Sequence, residues 1–130
     1  METSLTVKKE NLLALMPDGG MAELIRPLQN EILLLETYVA GTAYIEDESI
    51  FDEAHDGDKL ILRREDNRFD EKAILVLDQK ERKMGYVPER ENTVLSRLMD
   101  AGKLLTAKID RLSPKGSFRQ VNISIYLLDF

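Results

Sequence analysis

The chain has 130 residues and a formal net charge of −6, with 43% hydrophobic residues, 32% charged residues and no cysteine. This composition suits one globular domain with its own core, and the lack of cysteine excludes disulfides, thiolate metal sites and a cysteine nucleophile. No apolar run approaches the roughly 18 residues that suggest a membrane span, and residues 1–10 do not resemble a signal peptide, so we expect a cytoplasmic protein that does not bind membranes.

The acidity is local. Residues 46–60 hold seven acids against one base, whereas residues 92–130 hold six bases and three acids. Phosphate binding uses clustered Lys and Arg, so the net charge alone argues against a general nucleic-acid binder. The sequence leaves open a basic face, and ordinary solvated charge is the alternative. Its candidate members are Arg63, Arg64, Arg68, Lys103, Lys108, Arg111, Lys115 and Arg119.

The chain divides into a leader and a domain. Residues 1–30 form the predicted leader, which we expect to be short helical or flexible. The sequence permits a short helix at residues 8–16, and the strong turn chemistry of residues 17–20 would end it. Residues 31–130 form the predicted domain. Residues 32–40 predict its first strand, and we expect Tyr44 and Ile45 to continue this strand beyond a bulge at Gly41.

The remaining elements are mainly strands. Residues 48–54 predict one or two helical turns, and residues 91–101 predict the clearest helix, with Asn92 as N-cap and Gly102 at the C-terminal cap. Further strands are predicted at residues 59–64, 73–77, 83–87, 103–112 and 118–128. The fold class is therefore mainly β with short helices, and about six strands predict a small curled sheet or barrel.

Motifs for catalysis or metal binding are scarce. His55 is the one histidine, and no serine lies in a nucleophile-elbow pattern. Residues 52–63 resemble a calcium loop superficially, but Ala54 and Arg63 occupy positions that need oxygen ligands. We therefore expect a protein that is not an enzyme, with no catalytic residues, no metal and no cofactor.

A polar loop between two predicted strands has the best chemistry for a binding site. Asn67 can donate and accept hydrogen bonds, Phe69 offers a stacking face, and Asp70 can accept from a hydroxyl. The alternative is structural: Asn67 and Asp70 would bond backbone amides, and Phe69 would be buried as a plug.

Several spaced blocks of the chain match a known family pattern in the same order. They are residues 39–42, Arg64-Glu65, Asn67, Phe69-Asp70, Ala73-Ile74, Val76, Gly85-Tyr86-Val87-Pro88 and residues 95–102. Over about residues 31–128 the chain therefore resembles the HIRAN domain, a family found in helicase-like DNA-repair and chromatin-remodelling ATPases and as free-standing bacterial proteins.

The resemblance implies an OB-like six-stranded β-barrel that binds single-stranded DNA or free 3′ DNA ends. Phe69 would stack on a base, Asp70 would accept from the 3′-hydroxyl, and Asn67 would line the same pocket. The other implied nucleic-acid-binding residues are Tyr44, Arg64, Arg68, Tyr86 and Phe118. The resemblance also implies work in DNA repair or replication-fork processing, with a helicase or nuclease as partner protein.

Four positions depart from the family's pattern. Arg68 replaces the motif proline and Phe69 the motif tyrosine, while Ala43 and Glu89 stand where basic residues would help to bind DNA. These departures and the charge of −6 support an alternative, a protein–protein interaction module that does not bind DNA.

Overall fold

The computed structural model describes residues 30–114 and 119–129, and the predicted leader lies outside them, apart from residue 30. Six strands are present: β1 (Asn30–Tyr38), β2 (Lys59–Arg64), β3 (Ile74–Leu77), β4 (Lys83–Tyr86), β5 (Leu104–Leu112) and β6 (Val121–Asp129). Two α-helices, α1 (Ser49–Glu53) and α2 (Asn92–Asp100), and two 3-10 turns, Thr42–Tyr44 and Glu89–Glu91, connect them. The prediction of a mainly β chain with short helices is confirmed.

The strands form one six-stranded sheet in the order β1-β6-β5-β2-β3-β4. Neighbouring strands from β6 to β4 pair antiparallel, and the β5–β6 ladder runs from the pair Leu104–Leu128 to the pair Leu112–Val121. Alternation in β6 buries Val121, Ile123 and Ile125 on one face. The period-two pattern of β6 therefore places Val121, Ile123 and Ile125 in the core.

The two outer strands of the sheet approach each other at one place. Beyond β1, the Ala40 amide donates to the Tyr86 carbonyl at 2.7 Å, and the Tyr86 amide donates to the Ala40 carbonyl at 2.9 Å. This isolated bridge joins the end of the first strand to β4. Apart from this single bridge, no ladder joins β1 to β4 within the described residues. The sheet is therefore curled but not closed.

Residues 31–128 form one compact unit. Its core combines inward residues from the strands with Ile50 of α1 and Leu95 of α2. Burial of such side chains contributes about 1.5–3 kcal/mol each, so the two short helices are held by the sheet that they cover. Phe51 and Ala54 also pack against this core.

Two local predictions are wrong. Tyr44 does not continue the first strand, because Gly41 adopts φ +80° and starts the 3-10 turn Thr42–Tyr44, which Ile45 follows. Asn92 is not an N-cap: Glu91 holds that position, and no side chain caps the helix. Gly102 does end α2 as predicted, at φ +91°, where its amide donates to the Met99 carbonyl.

Candidate nucleic-acid interface

The loop between β2 and β3 is built from two side-chain turns. The Phe69 amide donates to Asn67 Oδ1 at 2.7 Å, and the Asp70 amide donates to the Asn67 carbonyl at 3.1 Å. The Lys72 amide donates in turn to Asp70 Oδ1 at 2.9 Å. Asn and Asp side chains commonly stabilise turns in this way, so the loop is ordered by its own residues.

Phe69 is displayed at the tip of this loop. Its side chain is 83% exposed, and the Arg68 guanidinium carbon lies 5.2 Å from its ring centroid. The structural alternative for this loop is confirmed for Asn67 and Asp70, which accept hydrogen bonds from backbone amides. It is wrong for Phe69, which is not a buried plug. An aromatic face remains open to a ligand.

Arg64 anchors the loop from the end of β2. Its guanidinium donates to the carbonyls of Ala73 at 2.6 Å and Glu71 at 2.8 Å, and it binds Asp100 at the end of α2 at 2.9 Å. Because these bonds occupy the guanidinium, Arg64 acts on the loop and on α2 rather than pointing a free charge at solvent.

Asp70 is bound from the other side by helix α2. Asn92 Nδ2 donates to Asp70 Oδ2 at 2.8 Å, and Asn92 is only 2% exposed. A carboxylate has about four acceptor sites. In Asp70 the Lys72 amide uses one site on Oδ1 and Asn92 Nδ2 uses one site on Oδ2. Asp70 therefore keeps acceptor capacity for a further donor.

Tyr86 joins the loop to β4 through a carboxylate. Its hydroxyl donates to Glu65 Oε1 at 2.7 Å and accepts from Lys83 Nζ at 3.0 Å. Asn67 Nδ2 also donates to Glu65 at 3.1 Å. The Tyr86 hydrogen bond, then that of Asn67 and the charge of Lys83, lower the pKa of Glu65 from its ordinary value, so an anion is held beneath the loop.

Tyr44 lies beside a shallow groove of about 330 Å³. Its side chain is 87% exposed, and Gly41 and Thr42 form the backbone of the groove wall. Arg119 fixes that wall, because its guanidinium donates to the Thr42 carbonyl at 2.9 Å while Thr42 Oγ1 donates to the Arg119 carbonyl at 2.7 Å. Ala40 in this wall also pairs with Tyr86 of β4 through backbone bonds, and the Tyr86 hydroxyl continues the link to Glu65 of the loop.

The charge of the candidate interface is mixed. Arg68 and Lys72 are exposed cations of the loop, and Asp66 and Glu71 are exposed acids. On the 3-10 turn after Pro88, the Arg90 guanidinium carbon lies 5.6 Å from the ring centroid of Tyr38, which lines the groove. The described interface therefore offers cations next to aromatic faces rather than one continuous basic face.

Sequence reasoning missed Glu65, Lys83 and Asn92 as parts of this site. Asn92 was assigned to the helix cap because local spacing favours that role, and its loop partner is 22 residues away. Only the packing of α2 against the loop gives it another role. Phe118, the remaining stacking candidate, lies outside the described residues.

Two kinds of feature are absent from residues 30–114 and 119–129. No group of three or more His, Cys, Asp or Glu side chains there could hold a metal ion. No helix in the same residues has the length and apolar character needed to cross a membrane.

Three solved structures share this fold. A protein from Lactobacillus plantarum matches with a TM-score of 0.72 and 24% identity over 78% of this chain and 99% of that chain. The HIRAN domain of human HLTF matches with a TM-score of 0.61 and 16% identity over 76% of this chain and 79% of that one. The same human domain in its DNA-bound conformation matches with a TM-score of 0.57 and 15% identity over 77% of this chain and 80% of that one.

Sequence comparison agrees with the structural likeness. No curated protein matches the chain significantly. The family model of the HIRAN domain matches residues 32–127, which is more than half of the 130 residues and includes every described strand of the sheet in whole or in large part. The chain belongs to the HIRAN domain family.

Proposed function

We propose that this domain binds DNA, and in particular single-stranded DNA near a free 3′ end. One observation carries the proposal: two aromatic side chains, Tyr44 and Phe69, are 87% and 83% exposed on ordered backbone. Folding normally covers most of an aromatic ring, whereas stacking on a base contributes roughly 1–3 kcal/mol and needs an exposed face. The DNA-bound conformation of the human HIRAN domain supports the same reading.

The finer part of the proposal concerns the end of the strand. Asp70 has acceptor capacity beside Phe69, and it would accept a hydrogen bond from a terminal 3′-hydroxyl. Asp70 is itself an acid, Asp66 and Glu71 are exposed acids of the same loop, and like charges repel. A 3′-phosphate would therefore bind less well than a 3′-hydroxyl at this loop.

The proposed ligand path uses both sides of the Ala40–Tyr86 bridge. Phe69 would stack on a terminal base, and Tyr44 would stack on a base further along, above the groove. Arg68 and Arg90, which lie over the rings of Phe69 and Tyr38, would contact phosphates. In this proposal the curled sheet acts as an OB-like barrel, the domain has no catalytic activity, and a helicase or nuclease partner would recruit it in DNA repair or replication-fork processing.

Fluorescence anisotropy tests the proposal with a labelled oligonucleotide of about ten nucleotides, within the usual site size of such folds. We expect binding that weakens as salt rises and that is tighter for a 3′-hydroxyl than for a 3′-phosphate. Equal affinity for both ends would reject end recognition alone. Absence of binding at low salt would reject DNA as the ligand.

A second function is favoured by the acidic stretch. Seven acids in residues 46–60 contribute to the net charge of −6, and such a surface would suit a basic protein partner. In that case the loop residues maintain the fold only. Asp70→Ala would then lower stability, and the domain would not bind the oligonucleotide even at low salt.

A further inference from the structure

Asn92 is a buried polar side chain that serves the loop rather than its own helix. It is 2% exposed, it does not cap α2, and its amide donates to Asp70 Oδ2 at 2.8 Å. Buried polar groups need partners, and a hydrogen bond to a charged acceptor is stronger than one between neutral groups. The bond therefore links the buried start of α2 to the middle of the exposed loop.

This bond completes the fixation of the Asp70 carboxylate. Its other oxygen, Oδ1, accepts from the Lys72 amide at 2.9 Å within the loop. The terminal torsion of an aspartate is broad when free, but one donor on each oxygen, from two different elements, leaves one orientation. A ligand then does not have to order this side chain when it binds.

Helix α2 holds the loop at a second point as well. Asp100, at the last turn of α2, binds Arg64 at 2.9 Å, and Arg64 donates to the carbonyls of Glu71 and Ala73. Between these points Leu95 is buried in the core. Both ends of α2 therefore bind the loop, and the burial of Leu95 fixes α2 to the core.

We propose that Asn92 is a positioning residue for ligand recognition, which acts from helix α2 by orienting the Asp70 carboxylate without touching the ligand. This inference rests on the proposed function, in which Asp70 accepts a hydrogen bond from the 3′ end of DNA. It assigns α2 a part in affinity and in end preference.

A double-mutant cycle tests the coupling. Asn92→Ala, Asp70→Ala and the double variant are titrated with the 3′-hydroxyl and 3′-phosphate oligonucleotides. We expect Asn92→Ala to raise Kd for the hydroxyl end by up to about tenfold, the upper end of the cost of ordering one side chain on binding, and to reduce the preference over the phosphate end. In the Asp70→Ala background, Asn92→Ala should have no further effect. Independent, additive effects would overturn the proposal.

Ser96→Ala is the matched control, because Ser96 is equally buried on α2 and its hydroxyl donates to the Thr93 carbonyl at 2.9 Å. It should leave Kd and end preference unchanged when both variants are titrated as folded protein. Where Asn92→Ala fails to fold, Asn92→Ser replaces it, because serine keeps a polar group at this buried position but its shorter side chain does not reach Asp70 Oδ2. The same loss of preference for the hydroxyl end is expected, and an unchanged preference in this folded variant would overturn the proposal.

A measurement without ligand separates this inference from the proposed function. Orientation of Asp70 protects the Lys72 amide, so we expect hydrogen exchange at Lys72 to rise about tenfold or more in Asn92→Ala but not in Ser96→Ala. Unchanged exchange would overturn the positioning role. A wild-type domain that does not bind DNA would instead overturn the proposed function, and the exchange result would still decide whether Asn92 orients Asp70.

Discussion

A Cβ atom on Gly85 would lie 2.4 Å from the carbonyl oxygen of Ala40 and 2.6 Å from Val39 Cγ1. Gly85 precedes Tyr86, whose amide and carbonyl both pair with Ala40. Because the nearest obstacle is backbone, a side chain at position 85 could be accommodated only by moving residues 39–40, which follow β1, away from β4. The glycine of the Gly85-Tyr86-Val87-Pro88 block therefore permits the contact that links the groove to the loop.

Gly85→Ala should lower the free energy of unfolding by about 3 kcal/mol, at the upper end of the cost of overpacking a tight site. Chemical denaturation measures this loss as a lower midpoint. Hydrogen exchange should also show loss of protection at the Ala40 and Tyr86 amides.

Gly57→Ala is the comparison for this prediction. Gly57 adopts φ +91° and a Cβ atom there would meet nothing within 4 Å, so alanine should cost only the left-handed backbone penalty of about 1–2 kcal/mol. Protection of Ala40 and Tyr86 should persist in it. Equal losses in the two variants would contradict the role assigned to Gly85.

The sequence could predict the elements because their causes are local. The strand β2 was predicted with the bounds that the structure has, 59–64. The Asx turns at Asn67 and Asp70 are equally local. Such features depend on neighbours within a few residues, which the sequence displays directly.

The rest depended on distant partners. Arg64 was a candidate for phosphate binding, and its structural bonds to Asp100 depend on a helix 36 residues away. Asn92 was assigned as a helix cap because its true partner, Asp70, is 22 residues away in the sequence. The error at Tyr44 has a different cause: a bulge and a left-handed glycine that starts a 3-10 turn have the same sequence signal at Gly41, and only the backbone geometry separates them.

A pH-dependent contribution to stability is expected from Glu53 on α1. Its carboxylate accepts hydrogen bonds from Arg82 and Lys80, which lower its pKa from 4.5 to about 2. A carboxylate whose pKa is lower in the folded than in the unfolded state stabilises the fold fully at pH values above its ordinary pKa of 4.5. This contribution is lost as the pH falls through the pKa of the folded state. Glu53 itself is exposed, so the contribution of its two ion pairs is small and weakens with salt.

Glu53→Gln should therefore be less stable than the wild type near neutral pH, and the difference should disappear as the pH falls from 4.5 to about 2. Urea unfolding at several pH values measures it. Glu36→Gln, an exposed acid on β1, is the control for loss of one charge. A difference between Glu53→Gln and the wild type that stays constant with pH would contradict the assignment.

Removal of the exposed ring of Phe69 should affect binding and not folding. Phe69→Ala should weaken binding of single-stranded DNA by about 5- to 150-fold, which corresponds to the usual 1–3 kcal/mol of one stacked base. Its unfolding midpoint should stay close to that of the wild type, because an 83% exposed ring contributes little to the core. Anisotropy and chemical denaturation give the two quantities.

Two matched variants sharpen this result. Phe69→Tyr keeps the ring and should retain the affinity. Val94→Ala removes another apolar side chain that is 66% exposed, on α2, and should leave the affinity unchanged. A stability loss of about 2 kcal/mol or more in Phe69→Ala, the scale of a buried side chain, would show that Phe69 belongs to the core instead.

The two arginines at the loop should differ in kind. Arg68 is exposed over the Phe69 ring, so Arg68→Ala should weaken binding of single-stranded DNA and reduce the slope of log Kobs against log salt by about 0.7–1, the effect of one lost phosphate contact. Its stability should not change.

Arg64→Lys should instead lower the free energy of unfolding by about 1–3 kcal/mol, because lysine cannot make the several directed bonds to Glu71, Ala73 and Asp100. The salt slope of Arg64→Lys should equal that of the wild type. A reduced slope in Arg64→Lys together with unchanged stability would reverse the two assignments and make Arg64 the phosphate contact.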